Sequence, residues 1–148
     1  MRRISVKLTA DNYIALYTSP TDVTNFLGAN INILAPSIGN LHGDYGPAGP
    51  KPGQLDFDRL QSIVAQIDGR VLIALHGTND FPPELMRQCI DAGAIKLNVN
   101  KLLLEPANEV IRKYGPSWGT AKLIDEVVKA TKEATEKWMD VVGSSGRA

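Results

Sequence analysis

Val71-Leu72-Ile73-Ala74-Leu75-His76-Gly77-Thr78-Asn79-Asp80 is an apolar run of strand length that stops at a His-Gly pair and opens into a polar loop. Two other stretches share the design. Ile31-Asn32-Ile33-Leu34-Ala35-Pro36-Ser37-Ile38-Gly39 leads into Asn40-Leu41-His42-Gly43, and Ala94-Ile95-Lys96-Leu97-Asn98-Val99 leads into Asn100-Lys101. Short runs of Ile, Val and Leu suit strands covered on both faces, as in a parallel sheet. The pattern predicts strands over 31–38, 71–76 and 94–99.

Helical patterns separate these runs. Leu60, Ile63, Val64 and Ile67 recur at i, i+3, i+4 and i+7 between the first two. Asp56 or Asp58 can cap that helix, and Asp68-Gly69 ends it. Pro82-Pro83-Glu84 opens a second helix through Met86, Cys89 and Ile90. A third spans about 102–113, where Pro106 predicts a late start or a kink. Upstream, Thr18-Ser19-Pro20-Thr21-Asp22 starts a capped helix. Downstream, 123–142 reads as a long helix with Ile124, Val127, Val128, Thr131, Ala134, Trp138 and Met139 along one side. Strands alternating with helices argue for right-handed parallel βαβ units. Three strands make either a small α/β layer or part of a closed eight-stranded barrel, which takes about 250 residues. The Gly- and Pro-rich stretch 44–54 is too long for an ordinary connection and sits where a barrel carries a functional loop.

Composition narrows the partners. The chain has 148 residues, the size of one domain, with 43% hydrophobic and 22% charged residues. Sixteen basic residues balance sixteen acidic ones, so no long-range field favours nucleic acid or an anionic membrane. No apolar run approaches the roughly 20 residues of a membrane helix. The single cysteine, Cys89, reads as a small buried hydrophobe and fits a reducing, cytoplasmic setting. Residues 1–17 read as an extended leader and 144–148 as a polar tail.

Only two histidines are present, His42 and His76. Both follow a strand, and both precede a glycine. In a parallel α/β fold these strand ends share one rim, where ligands bind. Imidazole is a common zinc ligand, and catalytic zinc usually takes three protein ligands plus an open position. The pair could supply two of the three; hydrogen-bonded rim histidines without a metal are the other reading. Gly77-Thr78-Asn79 and Asn98-Val99-Asn100-Lys101 lie at strand-to-helix junctions, where backbone N–H groups bind phosphate.

The segments Leu34-Ala35-Pro36-Ser37-Ile38-Gly39-Asn40-Leu41-His42-Gly43-Asp44-Tyr45-Gly46, Leu75-His76-Gly77-Thr78 and Lys96-Leu97-Asn98-Val99-Asn100 resemble the class II, zinc-dependent ketose-bisphosphate aldolases, of which fructose-bisphosphate aldolase is the best-known. The resemblance runs from about residue 18 to 146. It implies the C-terminal part of a (β/α)8 TIM barrel over 18–143, and zinc-dependent, reversible aldol cleavage of a ketose bisphosphate to dihydroxyacetone phosphate and an aldehyde. His42 and His76 match zinc ligands. Gly43 and Gly77 match glycines of a phosphate and monovalent-cation site. Asn79 stands where a phosphate-binding serine is usual, and Asn98 matches an asparagine that contacts the dihydroxyacetone-phosphate part. Thr78, Asn100 and Lys101 complete the expected phosphate-binding set, although many members carry Asp-Thr at the last two positions.

The family's His-x-Asp-His segment, with the third zinc histidine and a proton-handling aspartate, has no counterpart here. The expected partners are therefore a phosphorylated ketose or triose phosphate, and a homo-oligomer or a complementing chain. The chain alone is expected to have little or no turnover. The alternative is a non-catalytic remnant that binds phosphosugars or another protein.

Overall fold

The computed structural model describes residues 16–43, 45–51 and 53–147. Most of the expected leader, 1–17, therefore lies outside the described residues. The element order is α1 (Pro20–Gly28), β1 (Ile33–Leu34), α2 (Phe57–Ile67), β2 (Leu72–Leu75), α3 (Pro83–Asp91), β3 (Lys96–Leu97), α4 (Lys101–Tyr114) and α5 (Thr120–Val141). The three strands form one parallel sheet in the order β1-β2-β3. Strand–helix alternation and sheet direction are as the sequence implies.

Local chemistry accounts for three helix ends. Ser19 caps α1 in a reciprocal box with Asp22, and Asp56 caps α2 through the Arg59 N–H. Asp68, in the left-handed region at φ 51°, closes α2.

The register pairs Ile33 with Leu72, Leu34 with Ile73, Ala74 with Lys96 and Leu75 with Leu97. Leu34, Ile73 and Leu75 are buried in one cluster with Leu60, Ile63 and Ile67 of α2 and Met86 and Cys89 of α3. Ile33 and Leu72 occupy the opposite face and stay 45% and 48% exposed. In a closed barrel that face is the packed interior.

Three expectations need correction. The strands are shorter than 31–38, 71–76 and 94–99. Past Leu34 the backbone leaves the ladder for other partners: Ile38 N–H donates to the Asn40 side chain, and the Ser37 and Ile38 carbonyls accept from Thr18 and Asp56. Helix α4 does not start late. It begins at Lys101 and passes through Pro106, giving up one intrahelical hydrogen bond while Ala107 beside it is buried. The stripe expected along α5 is also rotated. Ala134 and Trp138 are buried, but Ile124 and Val128 are 55% and 60% exposed. Trp138 anchors the C-terminal part of α5 in the core, and α4 packs along the helix.

Candidate active site

The C-terminal ends of the strands face one cleft of about 720 Å³, lined by His42, Gly43, His76, Gly77, Thr78, Asn79, Leu97, Asn98, Val99 and Asn100. All but one of the polar positions nominated from sequence line it. Lys101 is the exception: its ammonium lies 2.7 Å from Asp80 Oδ1.

Two side chains tie the β1 and β2 loops together. Asn40 accepts from Ile38 N–H at 2.8 Å and donates to the His76 carbonyl at 3.0 Å. The Tyr45 hydroxyl accepts from Leu41 N–H and donates to the Gly77 carbonyl, both at 2.7 Å. Burial pushes the Tyr45 phenol above its ordinary range, so it keeps the proton it donates. Gly77 sits at φ +65°, and a Cβ there would lie 2.5 Å from the Leu41 carbonyl oxygen. The loops can meet only because that position lacks a side chain. Gly43 differs: a Cβ there would meet nothing within 4 Å.

These ties set the histidines. His42 is exposed on the β1 loop, and His76 is half-buried immediately after β2. Their ring centroids are 5.4 Å apart at an interplanar angle of 50°. Two imidazoles on one tetrahedral zinc, with Zn–N bonds of about 2.0–2.1 Å, would hold their centroids about 5 Å apart. The centroid separation matches that of two ligands of a shared ion. Among the described residues, no group of three His, Cys, Asp or Glu side chains is placed to hold a metal. The donor set is one short of a catalytic zinc site.

The third strand end supplies amides. The Asn98 side-chain nitrogen lies 2.9 Å from His76 Nε2 and 3.2 Å from Nδ1. Thr78 is buried, and its hydroxyl donates to the Asn98 carbonyl at 2.6 Å. That bond uses the hydroxyl proton to join the β2 and β3 loops. Asn79 reaches both ways, donating to the Gly43 carbonyl and accepting from Lys101 N–H, each at 3.3 Å. Helix α4 has no side-chain cap from Asn100 itself; the Asn79 carboxamide oxygen takes its first N–H instead. Cys89 lies elsewhere, in the core, where burial pushes its thiol up to about 12.

Sequence reasoning missed Asn40, Tyr45, Asp80 and Lys96 as parts of the site. A charged residue inside the apolar run 94–99 was the available signal for Lys96. The roles of Asn40 and Tyr45 had no signal beyond their nearness to His42, because both act across loops.

The class II fructose-bisphosphate aldolase family model matches residues 4–147. The chain belongs to that family. A Coccidioides immitis protein assigned as a fructose-bisphosphate aldolase is 40% identical over 131 residues, covering 88% of this chain and 42% of that protein. The fructose-bisphosphate aldolase of Streptococcus pneumoniae is 31% identical over 140 residues, covering 86% and 46%. Among solved structures, that of the Coccidioides immitis aldolase superposes with a TM-score of 0.81 at 38% identity, covering 88% of this chain and 45% of that one. The YdjI aldolase of Escherichia coli K12 gives 0.77 at 26% identity, covering 89% and 48%. The chain thus spans less than half the length of these aldolases, and its three strands correspond to part of their barrel. No helix among the described residues is long and apolar enough to cross a membrane.

Proposed function

We propose that this chain carries the C-terminal part of a class II aldolase active site, and that by itself it binds metal and phosphosugar with little or no turnover. The observation behind the reading is the His42–His76 pair, held 5.4 Å apart at adjacent strand ends. His42 and His76 are the two metal ligands in this reading. A zinc ion held there supplies Lewis-acid polarisation of a ketone oxygen.

The other residues bind and orient. Backbone N–H groups at Gly43, Gly77 and Asn79, with the start of α4 after Asn100, receive phosphate. Thr78 keeps the β2 and β3 loops in register, and Gly77 lets the loops approach closely enough to form the cradle. A monovalent cation beside the phosphate belongs to the same reading. Asn98 sits beside His76 and meets the dihydroxyacetone-phosphate part of a ketose bisphosphate. Holding the phosphate fixes the scissile carbon bond beside the metal, which is the orienting part of catalysis. The chain's weakness is proton transfer. Among the described residues no carboxylate lines the cleft and both imidazoles serve as metal ligands in this reading, so a general acid or base is lacking, a loss that typically costs about 10²–10⁴ in rate.

The test is release of triose phosphate from fructose 1,6-bisphosphate by the purified chain with zinc, beside His42→Ala and His76→Ala. The reading expects turnover near background, and zinc binding, weaker than at a three-ligand site, only in the wild type. Robust wild-type turnover lost in both variants would overturn the negative half. Equal zinc affinity in all three proteins would overturn the positive half. The missing third metal donor favours one other reading, a phosphosugar-binding protein without catalysis. In that case phosphate compounds bind equally with and without zinc.

A further inference from the structure

Lys96 is the one charged residue within the three strands, the exposed first residue of β3. Its register partner is Ala74, so it shares a face with Leu72 and, through Leu72, with Ile33. Its side chain, although exposed, has a partner on that face. The partner is the Asn98 side chain two residues on, whose Oδ1 accepts from Lys96 Nζ. An ammonium has donors only, so this contact settles which end of the carboxamide is oxygen and which is nitrogen. The nitrogen end is then the one beside His76, 2.9 Å from Nε2 and 3.2 Å from Nδ1. The two in-plane directions of the ring nitrogens diverge. A single atom close to both lies over the N–C–N edge of the ring rather than along either in-plane direction.

We propose that Lys96 is a positioning residue for Asn98. It holds the carboxamide oxygen away from the cleft, so that Asn98 presents N–H groups beside His76. Asn98 then donates to a ligand oxygen at the carbon next to the phosphate-bearing one, a bond that a ketone and a hydroxyl both accept. Without Lys96 the amide can turn over, and its oxygen then serves a hydroxyl, which can donate, but not a ketone, which cannot. The inference rests on the reading of the cleft as a phosphosugar site.

Two measurements test it on the whole chain, comparing wild type, Lys96→Met and Lys96→Arg. The first is the ratio of affinities for dihydroxyacetone phosphate and sn-glycerol 3-phosphate, which differ at that carbon alone. The wild type, presenting N–H groups, should bind both compounds. Lys96→Met should shift the ratio towards sn-glycerol 3-phosphate by up to about tenfold, the worth of one hydrogen bond, and Lys96→Arg should restore it. Loss of the lysine charge weakens both anions alike and cancels in the ratio. The second is the ¹⁵N signal of the His76 ring by magic-angle-spinning NMR, which reads an assembled chain as well as a monomer. Lys96→Met should move it, and Lys96→Arg should leave it near the wild-type position. If neither compound binds the wild type, the phosphosugar reading fails while the ring signal still decides the role of Lys96. An unmoved ring signal in Lys96→Met, or an unchanged ratio of affinities, overturns the proposal.

Discussion

Replacing Gly77 by alanine separates the two glycines that follow the two histidines. At Gly77 the backbone has φ +65°, a region that costs an L-residue roughly 1–2 kcal/mol. The added Cβ would also lie 2.5 Å from the Leu41 carbonyl oxygen, 2.8 Å from its carbon and 3.1 Å from its nitrogen. These are backbone atoms, so no rotamer change relieves the clash. Displacing that loop is overpacking of the kind that costs about 1–3 kcal/mol. The sum, about 2–5 kcal/mol, is a large part of the 5–15 kcal/mol that typically holds a domain together. Gly43→Ala makes no contact within 4 Å and should change stability by less than about 0.5 kcal/mol. The assay is urea unfolding followed by far-UV circular dichroism at one fixed protein concentration. Gly77→Ala should lower the midpoint by about 1 M or more, or abolish the transition, given a slope of about 1–3 kcal/mol/M. Pushing the Leu41 backbone away also moves His42 from His76, so zinc affinity should fall in Gly77→Ala and hold in Gly43→Ala. Equal midpoints for the two variants would refute the reasoning from close approach.

Other expectations follow from the same structure. With Ile33 and Leu72 half-exposed on the uncovered sheet face, the purified chain should self-associate and bind an apolar dye; Leu72→Lys should weaken both, and a monodisperse wild-type monomer that binds no dye would count against this. Because burial raises the Cys89 thiol from 9.0 to about 12, its neutral form is favoured by folding. The stability this contributes is complete below about pH 9 and is lost as pH rises towards 12, so Cys89→Ala should show a flatter decline over that window. Ser19→Ala should cost about 1 kcal/mol by removing the α1 cap. The Ser19 hydroxyl and backbone N–H hold the Asp22 carboxyl below its usual range, so the cap's contribution should fade as pH drops below about 4, and an unchanged acid unfolding profile in the variant would argue against it.

The parts of the site that were legible in the sequence are those a parallel sheet dictates. Apolar runs alternating with helices set the strand direction, and strand direction puts His42, His76 and Asn98 at one end. Which groups hold those ends together was not legible. Asn40 bonds across 36 residues and the Tyr45 hydroxyl across 32, and neither local propensity nor periodicity reports such pairs. Thr78 looked like a donor for phosphate, yet its hydroxyl donates to the Asn98 carbonyl. Lys101 looked like a phosphate lysine, yet its ammonium meets Asp80. Pro106 misled because a proline's cost is local, whereas α4 is held by its packing against α5. The apolar face of α5 was misplaced because the pattern is broad, and the position of Trp138 decides which part of it is covered.

The central claim is that His42 and His76 bind one metal together. X-ray absorption at the zinc edge, on the chain loaded with one equivalent of zinc, counts the imidazoles around the ion. The account predicts two imidazole nitrogens at about 2.0–2.1 Å with lighter oxygen donors completing the shell, and one nitrogen in either His→Ala variant. The chain has no other histidine, so fewer than two imidazoles per zinc in the wild type would contradict the claim outright.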